Sequence, residues 1–273
     1  MEKTSYQLSD LLRVMARLRD PQTGCPWDVR QDFRSIVPST LEECYELAQA
    51  IEQEDFAHVA EELGDVLFQV VFYAQLGRER GLFSFEMIVD TLVSKLVRRH
   101  PHVFGQGEIE GVVADRGSVE SVKESWEAIK QAERHAKSQG GLLADVPLAL
   151  PALPRAQKLQ KRAARVNFDW PDAVAALAKL EEEILELRQA MQAARPTDIE
   201  EEMGDILFSC ANLARHLGLD AEASLRRATS KFERRFTRME AQASDAGKAL
   251  ETLSAEALDE LWESAKRRER GSL

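Results

Sequence analysis

The sequence predicts an all-α fold built as two tandem helical copies, and three observations lead there. Apolar residues recur with helical spacing along most of the chain, with few strand-like alternations and no glycine pattern of a Rossmann or P-loop type. An acidic pattern, Glu43-Cys44-Tyr45-Glu46 followed by Glu62-Leu63-Gly64-Asp65, returns 140 residues later as Glu183-Ile184-Leu185-Glu186 and Glu202-Met203-Gly204-Asp205. The register extends past the acids, since Leu47, Ala50, Glu61, Leu67, Phe68 and Ala74 match Leu187, Ala190, Glu201, Leu207, Phe208 and Ala214. At an offset of 136, Lys95 to Arg99 then matches Lys231 to Arg235, and Trp126 to Lys130 matches Trp262 to Lys266. One E-x-x-E arises often on a solvated helix face of a glutamate-rich chain; four carboxylates repeated in register do not. The expected division is an N-terminal domain at 1–138, a linker at 139–154 and a C-terminal domain at 155–273.

The elements follow in order. Leu8, Leu11, Leu12, Met15 and Leu18 predict an amphipathic opening helix ended by Pro21 and Gly24. Ser39 with Glu42, or Thr40 with Glu43, predicts a capping box for the helix that carries Glu43 and Glu46 to about Glu54. A second long helix carries Glu62 and Asp65 to about Gly77, and Gly77 and Gly81 mark the loop where the repeat offset changes. A further helix is expected from about Phe85 to His100, then a glycine-rich loop and a helix holding Trp126 and Lys130. Gly140 to Pro154 reads as the interdomain connection. In the second copy Pro171-Asp172 starts the acidic helix, and Thr197 with Glu200 is expected to cap the next.

Residues three apart on a helix share a face, so a hairpin brings Glu43 and Glu46 against Glu62 and Asp65. Converging carboxylates repel unless cations sit among them, and hard oxygen donors suit Mg²⁺ or Mn²⁺. The apolar run Val66, Leu67, Phe68, Val70, Val71 and Phe72 makes the second helix one to be buried, so Asp65 is expected to need a partner. The alternatives are a solvated glutamate face or acids paired with arginines. Lys95 with Arg99, and Lys231 with Arg235, present paired charge suited to phosphate, or ordinary charge near a helix C-terminus. Trp126 with Lys130, and Trp262 with Lys266, suit a stacked base beside a phosphate, or plain core packing. Trp27 and Trp170 precede the acidic helices and suit either role; Cys44 and Cys210 are expected in the core.

Composition bounds the function. A net charge of −11 argues against a nucleic-acid polymer as partner, because backbone phosphates are held mainly by Lys and Arg. Three cysteines, Cys25, Cys44 and Cys210, form no metal-type pair and suit a reducing, cytoplasmic setting. Met1 to Asp10 lacks the pattern of a signal peptide and no apolar stretch reaches membrane-spanning length, so no membrane is expected as partner. The five histidines show no ligand pairing such as H-E-x-x-H.

These residues resemble the MazG family of nucleoside triphosphate pyrophosphohydrolases in its two-domain form. The resemblance rests on Gly24-Cys25-Pro26-Trp27-Asp28, Leu41-Glu42-Glu43-Cys44-Tyr45-Glu46, Arg98-Arg99-His100-Pro101-His102-Val103-Phe104, and the segment Leu150 to Gln160 with its Leu-Pro-Ala-Leu-Pro start. It implies a four-helix bundle completed by a second chain, hence a homodimer, and Mg²⁺-dependent hydrolysis of nucleoside triphosphates to monophosphate and pyrophosphate. It implies metal ligands at Glu43, Glu46, Glu62 and Asp65 and at Glu183, Glu186, Glu202 and Asp205. Phosphate and base contacts would fall to Lys231, Arg235, Trp262 and Lys266, with Lys95, Arg99, Trp126 and Lys130 as counterparts. The resemblance favours the C-terminal copy as the active one, with Glu183, Glu186, Glu202 and Asp205 as catalytic residues. The sequence departs from the pattern at Gln31-Asp32-Phe33, where many members carry Gln-Thr-His, at Asn167, where glycine is usual, and at Thr197-Asp198, where a basic residue often stands. A nucleotide-sensing or partner-binding protein without turnover is the rival from another class.

Overall fold

The computed structural model describes residues 5–111, 117–122, 125–126, 128–129, 133, 141–144 and 146–270, and among them every regular element is a helix. The chain divides into two compact units, Met1–Arg134 and His135–Leu273.

The N-terminal unit contains α1 (Leu8–Leu18), the short α2 (Pro26–Arg30), α3 (Val37–Glu52), α4 (Phe56–Glu79) and α5 (Phe85–Arg99). The hairpin of α3 on α4 is its main contact, with α1 and α5 also packed on α4. The apolar stripe of α1 drives this packing: Met15 is fully buried and meets Ile36, Val71, Phe72 and Leu76, with Leu11 and Leu12 beside it. Gly77 lies inside α4 rather than in a loop, because the Phe83 ring packs 2.5 Å from where its Cβ would stand. The turn comes at Gly81, which takes a left-handed φ of +65°.

The capping boxes expected at Ser39 or Thr40 are not used. Helix α3 starts earlier, at Val37, because Pro38 is tolerated in a first turn that needs no N–H there, and the Thr40 hydroxyl instead donates to the Ile36 carbonyl at 2.9 Å. Asp55 caps α4, accepting from the His58 N–H at 3.2 Å.

The C-terminal unit contains α6 (Ala152–Ala163), α7 (Ala173–Gln192), α8 (Pro196–His216), α9 (Ala221–Asp245) and α10 (Ala255–Arg270). The segment read as a connection therefore ends in helix from Ala152 onward. Asp172 caps α7, its carboxylate accepting from Ala175 N–H at 2.8 Å, as the Pro171-Asp172 pair suggests. The cap expected of Thr197 is absent: α8 begins at Pro196, and the Thr197 hydroxyl donates to Asp198 instead. Two glutamines of α6 tie it to its neighbours. Gln157 donates to the Ala211 and Leu219 carbonyls and accepts from Ala221 N–H, while Gln160 donates to the Phe208 carbonyl at 2.9 Å.

Among the described residues no helix is long and apolar enough to cross a membrane. Cys44 and Cys210 are exposed, not in the core, because each sits on the side of its hairpin that nothing in its unit covers. The helix carrying Asp65 is likewise only half buried: Val71 and Phe72 face the core, while Leu63, Leu67, Val70 and Asp65 itself are exposed.

Candidate active site

Each α-hairpin gathers three carboxylates. In the N-terminal unit Glu43 and Glu46, one turn apart on α3, meet Glu62 of α4, with ligand oxygens all within 4.8 Å of one another. The C-terminal unit repeats this with Glu183 and Glu186 of α7 and Glu202 of α8. The fourth acids, Asp65 and Asp205, lie outside these tight groups among the described residues, yet each is near enough to act on a neighbour's charge. Burial first, and then the charge of Asp65, Glu46 and Glu62, raise the pKa of Glu43. Burial raises Glu202 in the same way, followed by Glu183 and Asp205, and burial also raises Glu186.

Two basic side chains beside these groups escaped the sequence reading. His58 Nε2 lies 2.6 Å from Glu62 Oε1, one turn away on the same helix. Lys179 Nζ lies 2.9 Å from both Glu182 and Glu183 and 4.0 Å from Glu186. Hydrogen bonds to Glu182 and Glu183 push the lysine pKa above its ordinary range. Both pairs are i, i+4 spacings legible in the sequence. They fall outside the repeat, because Ser39 stands at the register of Lys179 and Asp198 at that of His58.

The donor set fits a hard divalent cation. Three carboxylates converge in each group with one basic side chain beside them, their charges disfavour one another, and Glu62 Oε2 is buried with no hydrogen-bond partner among the described residues.

The basic residues divide into two kinds. Arg99 and Arg98 both pair with Glu133, and Arg235 and Arg234 both pair with Glu269. These glutamates also escaped the sequence reading, although each stands two helical turns beyond its tryptophan, Trp126 or Trp262, and so repeats like the rest. The two guanidiniums hold the carboxyl of Glu133 down at about 2, and Arg235 with Arg234 lowers that of Glu269. Lys95, half-buried, and Lys231, exposed, make no ion pair with a described residue. Lys266 reaches Glu263 at 2.6 Å, and Lys130 lies outside the described residues.

The tryptophans sit against these basic helices. Trp262 is half-buried, its ring 5.4 Å from Phe232 and 5.8 Å from the Arg235 guanidinium. Trp126 lies 5.8 Å from the His100 ring. Trp27, in the short α2, and Trp170, in the turn before α7, are exposed.

The chain is similar to known proteins over most of its length. The model of the MazG nucleotide pyrophosphohydrolase domain matches residues 31–104 and 173–239, one stretch over each acidic hairpin. A nucleoside triphosphate pyrophosphohydrolase of Escherichia coli strain K12 is 48% identical over 96% of this chain and 98% of its own length. The nucleoside triphosphate pyrophosphohydrolase/pyrophosphatase MazG of Thermotoga maritima is 43% identical over 97% of this chain and 98% of its own. The uncharacterized protein YabN of Bacillus subtilis is 41% identical over 99% of this chain, which spans 54% of that longer protein.

Proposed function

The chain belongs to the MazG nucleotide pyrophosphohydrolase family, and from that premise we propose that it hydrolyses nucleoside triphosphates to nucleoside monophosphate and pyrophosphate in the cytoplasm, with Mg²⁺ or Mn²⁺ as cofactor. The observation that carries this reading is the convergence of Glu183, Glu186 and Glu202 within 4.8 Å, repeated by Glu43, Glu46 and Glu62. Asp205 and Asp65 complete the proposed ligand sets from the same helices. A bound Mg²⁺ supplies charge stabilisation on the phosphates and a water of lowered pKa. The chain's own residues do the rest. The carboxylates hold the cation, and Lys231 and Lys266 neutralise phosphate charge. Arg235 is fixed by Glu269 so that its guanidinium stays preorganised for an anion. Lys95, Arg99 and Trp126 take the matching places in the N-terminal unit. In this proposal Trp262 acts by holding Arg235 instead of stacking a base, since Phe232 and Arg235 already lie against its ring. Catalysis is assigned to the C-terminal group.

A homodimer completes the reading. Exposed apolar side chains follow the acidic helices in both copies, Leu63, Leu67 and Val70 in one and Met203, Leu207 and Phe208 in the other. Gly64 and Gly204 sit among them in helix interiors with nothing within 4 Å of where a Cβ would be, a position that suits close approach of another helix. Intact carboxylates in both units favour an enzyme over a sensor without turnover.

The test is product analysis by ion-exchange chromatography after incubation with each NTP and dNTP, in Mg²⁺ and in EDTA. Monophosphate and pyrophosphate, lost with EDTA, are expected. Absence of turnover across the panel would sink the enzymatic reading and favour the sensor.

A further inference from the structure

We propose that the N-terminal unit carries a phosphate site that the chain itself keeps filled: the Glu133 carboxylate stands between Arg98 and Arg99 in the place of a phosphate, while the repeated Glu269 leaves the matching site of the C-terminal unit open. This rests on the function proposed above, and it supplies a physical reason for one unit to take a triphosphate and the other not.

The two glutamates are equivalent in sequence and in setting. They stand at the repeat offset of 136, each facing a consecutive pair of arginines. Their side chains are 18% and 19% exposed, so burial does not tell them apart. Their hydrogen bonds do.

Glu133 receives four donors. Arg98 gives Nε at 2.8 Å and Nη2 at 2.6 Å to Oε1, and Arg99 gives Nε at 3.1 Å and Nη2 to Oε2. The side-on edge of a guanidinium, Nε with Nη2, fits the paired oxygens of a carboxylate or a phosphate alike. One side chain here uses that edge of both arginines. A phosphate arriving between them meets a negative charge already in place, so it has to displace Glu133. Hydrogen bonds from Arg99 and then Arg98 hold the Glu133 carboxyl at about 2, so it stays charged at neutral pH.

The C-terminal unit uses its glutamate differently. Arg235 gives Glu269 only its Nε, at 2.6 Å, and Arg234 stands off at 3.4 Å. The terminal nitrogens of Arg235 make no hydrogen bond with a described residue, yet they are not among the buried unpartnered polar atoms, so they stand open to solvent. The Nε bond and the Trp262 ring, 5.8 Å away, hold the guanidinium and leave its outer end to an anion. Lys231, one turn earlier on α9, is exposed and adds a second cation on the same face. Glu269 is thus a positioning residue for Arg235, whereas Glu133 is a competitor of the ligand.

Glu133→Gln and Glu269→Gln in the full chain test this, each checked for folding by circular dichroism. Glu133→Asp or Glu269→Asp, with a shorter reach, replaces a variant that fails the check. The probe is inorganic pyrophosphate in EDTA, followed by isothermal titration calorimetry. The wild type is expected to bind one pyrophosphate per chain and Glu133→Gln a second, which Arg99→Gln added to Glu133→Gln removes again. Glu269→Gln is expected to weaken the wild-type site about tenfold and to raise KM for NTPs by a similar factor with kcat retained, the size of one lost hydrogen bond between charged groups. A Glu133→Gln chain that binds no more pyrophosphate than the wild type, or a wild type that already binds two per chain, overturns the filled site. Unchanged pyrophosphate affinity in Glu269→Gln, or no pyrophosphate binding by the wild type, overturns the open one. A wild type that hydrolyses no NTP overturns the function, and the count of bound pyrophosphate then decides the two sites alone.

Discussion

The two units share a repeat but pack it differently. Among the described residues, the largest fully buried side chains, Phe72, Met15, Leu76 and Val71, all lie in the N-terminal unit, while the buried apolar residues of the C-terminal unit are alanines with Val146 and Met239. The acidic groups differ as well. Glu62 meets the His58 imidazole, whereas Glu183 meets the Lys179 ammonium, whose pKa is raised by its hydrogen bonds to Glu182 and Glu183. The difference teaches that the carboxylate triad is set by helix spacing common to both copies, while its surroundings are free to diverge. The N-terminal unit buries large side chains against α4, and the C-terminal unit packs its helices mainly through alanines.

The largest expected effect follows from that asymmetry. Glu202→Gln should lower kcat by about a thousandfold, the upper size seen when a group stabilising transition-state charge is lost. Glu62→Gln should change it less than about threefold if the N-terminal group does not turn over, within the loss of a contact remote from the chemistry. Equal losses, measured by pyrophosphate release, would break the comparison.

Packing should separate the units next. Phe72→Ala removes a fully buried ring and is expected to cost about 3–5 kcal/mol by urea denaturation. Phe208→Ala, at 45% exposure in the single chain, should cost less than about 1 kcal/mol in dilute protein. A cost for Phe208 equal to that of Phe72, and dependent on protein concentration, would reveal a covering partner chain.

A smaller effect concerns the cation. Mg²⁺ at one hundred times its Kd should stabilise the fold by about 2.7 kcal/mol relative to EDTA. Glu202→Gln should reduce that gain while raising the melting temperature in EDTA, since one of the mutually repelling charges is gone. A melting temperature indifferent to Mg²⁺ in both proteins would exclude the groups as cation sites.

The smallest is a pH effect at Glu133. Its carboxyl is depressed from 4.5 to about 2, so its pairing with Arg98 and Arg99 adds stability above pH 4.5 and loses it as pH falls toward 2. Glu133→Gln should therefore melt below the wild type at pH 7 and approach it at pH 2. A gap that persists at pH 2 would show that the effect is not the ion pair.

The acidic repeat, the α1 stripe, the start of the acidic helix after Pro171-Asp172 and the helix from Phe85 to Arg99 were all legible in the sequence, because each depends on neighbours within a few residues. The caps expected at Ser39 and Thr197 were not, because a proline at Pro38 or Pro196 starts each helix without a side-chain cap. Glu133 and Glu269 were missed although they repeat, since a glutamate among many carries no mark until the facing arginine is known. Cys44, Cys210 and Asp65 were misplaced for a related reason: an apolar helix says that it wants cover, and not which of its sides its own unit will cover.

By itself the sequence determined an all-α chain in two copies and the residues that form each acidic group, because helix periodicity converts spacing directly into shared faces. Only the tertiary structure decided that three acids and not four draw tightly together among the described residues, and that Lys179 and His58 stand beside them. Those outcomes depend on how helices distant in sequence meet, and contact between their side chains is fixed by packing, which spacing along the chain does not encode.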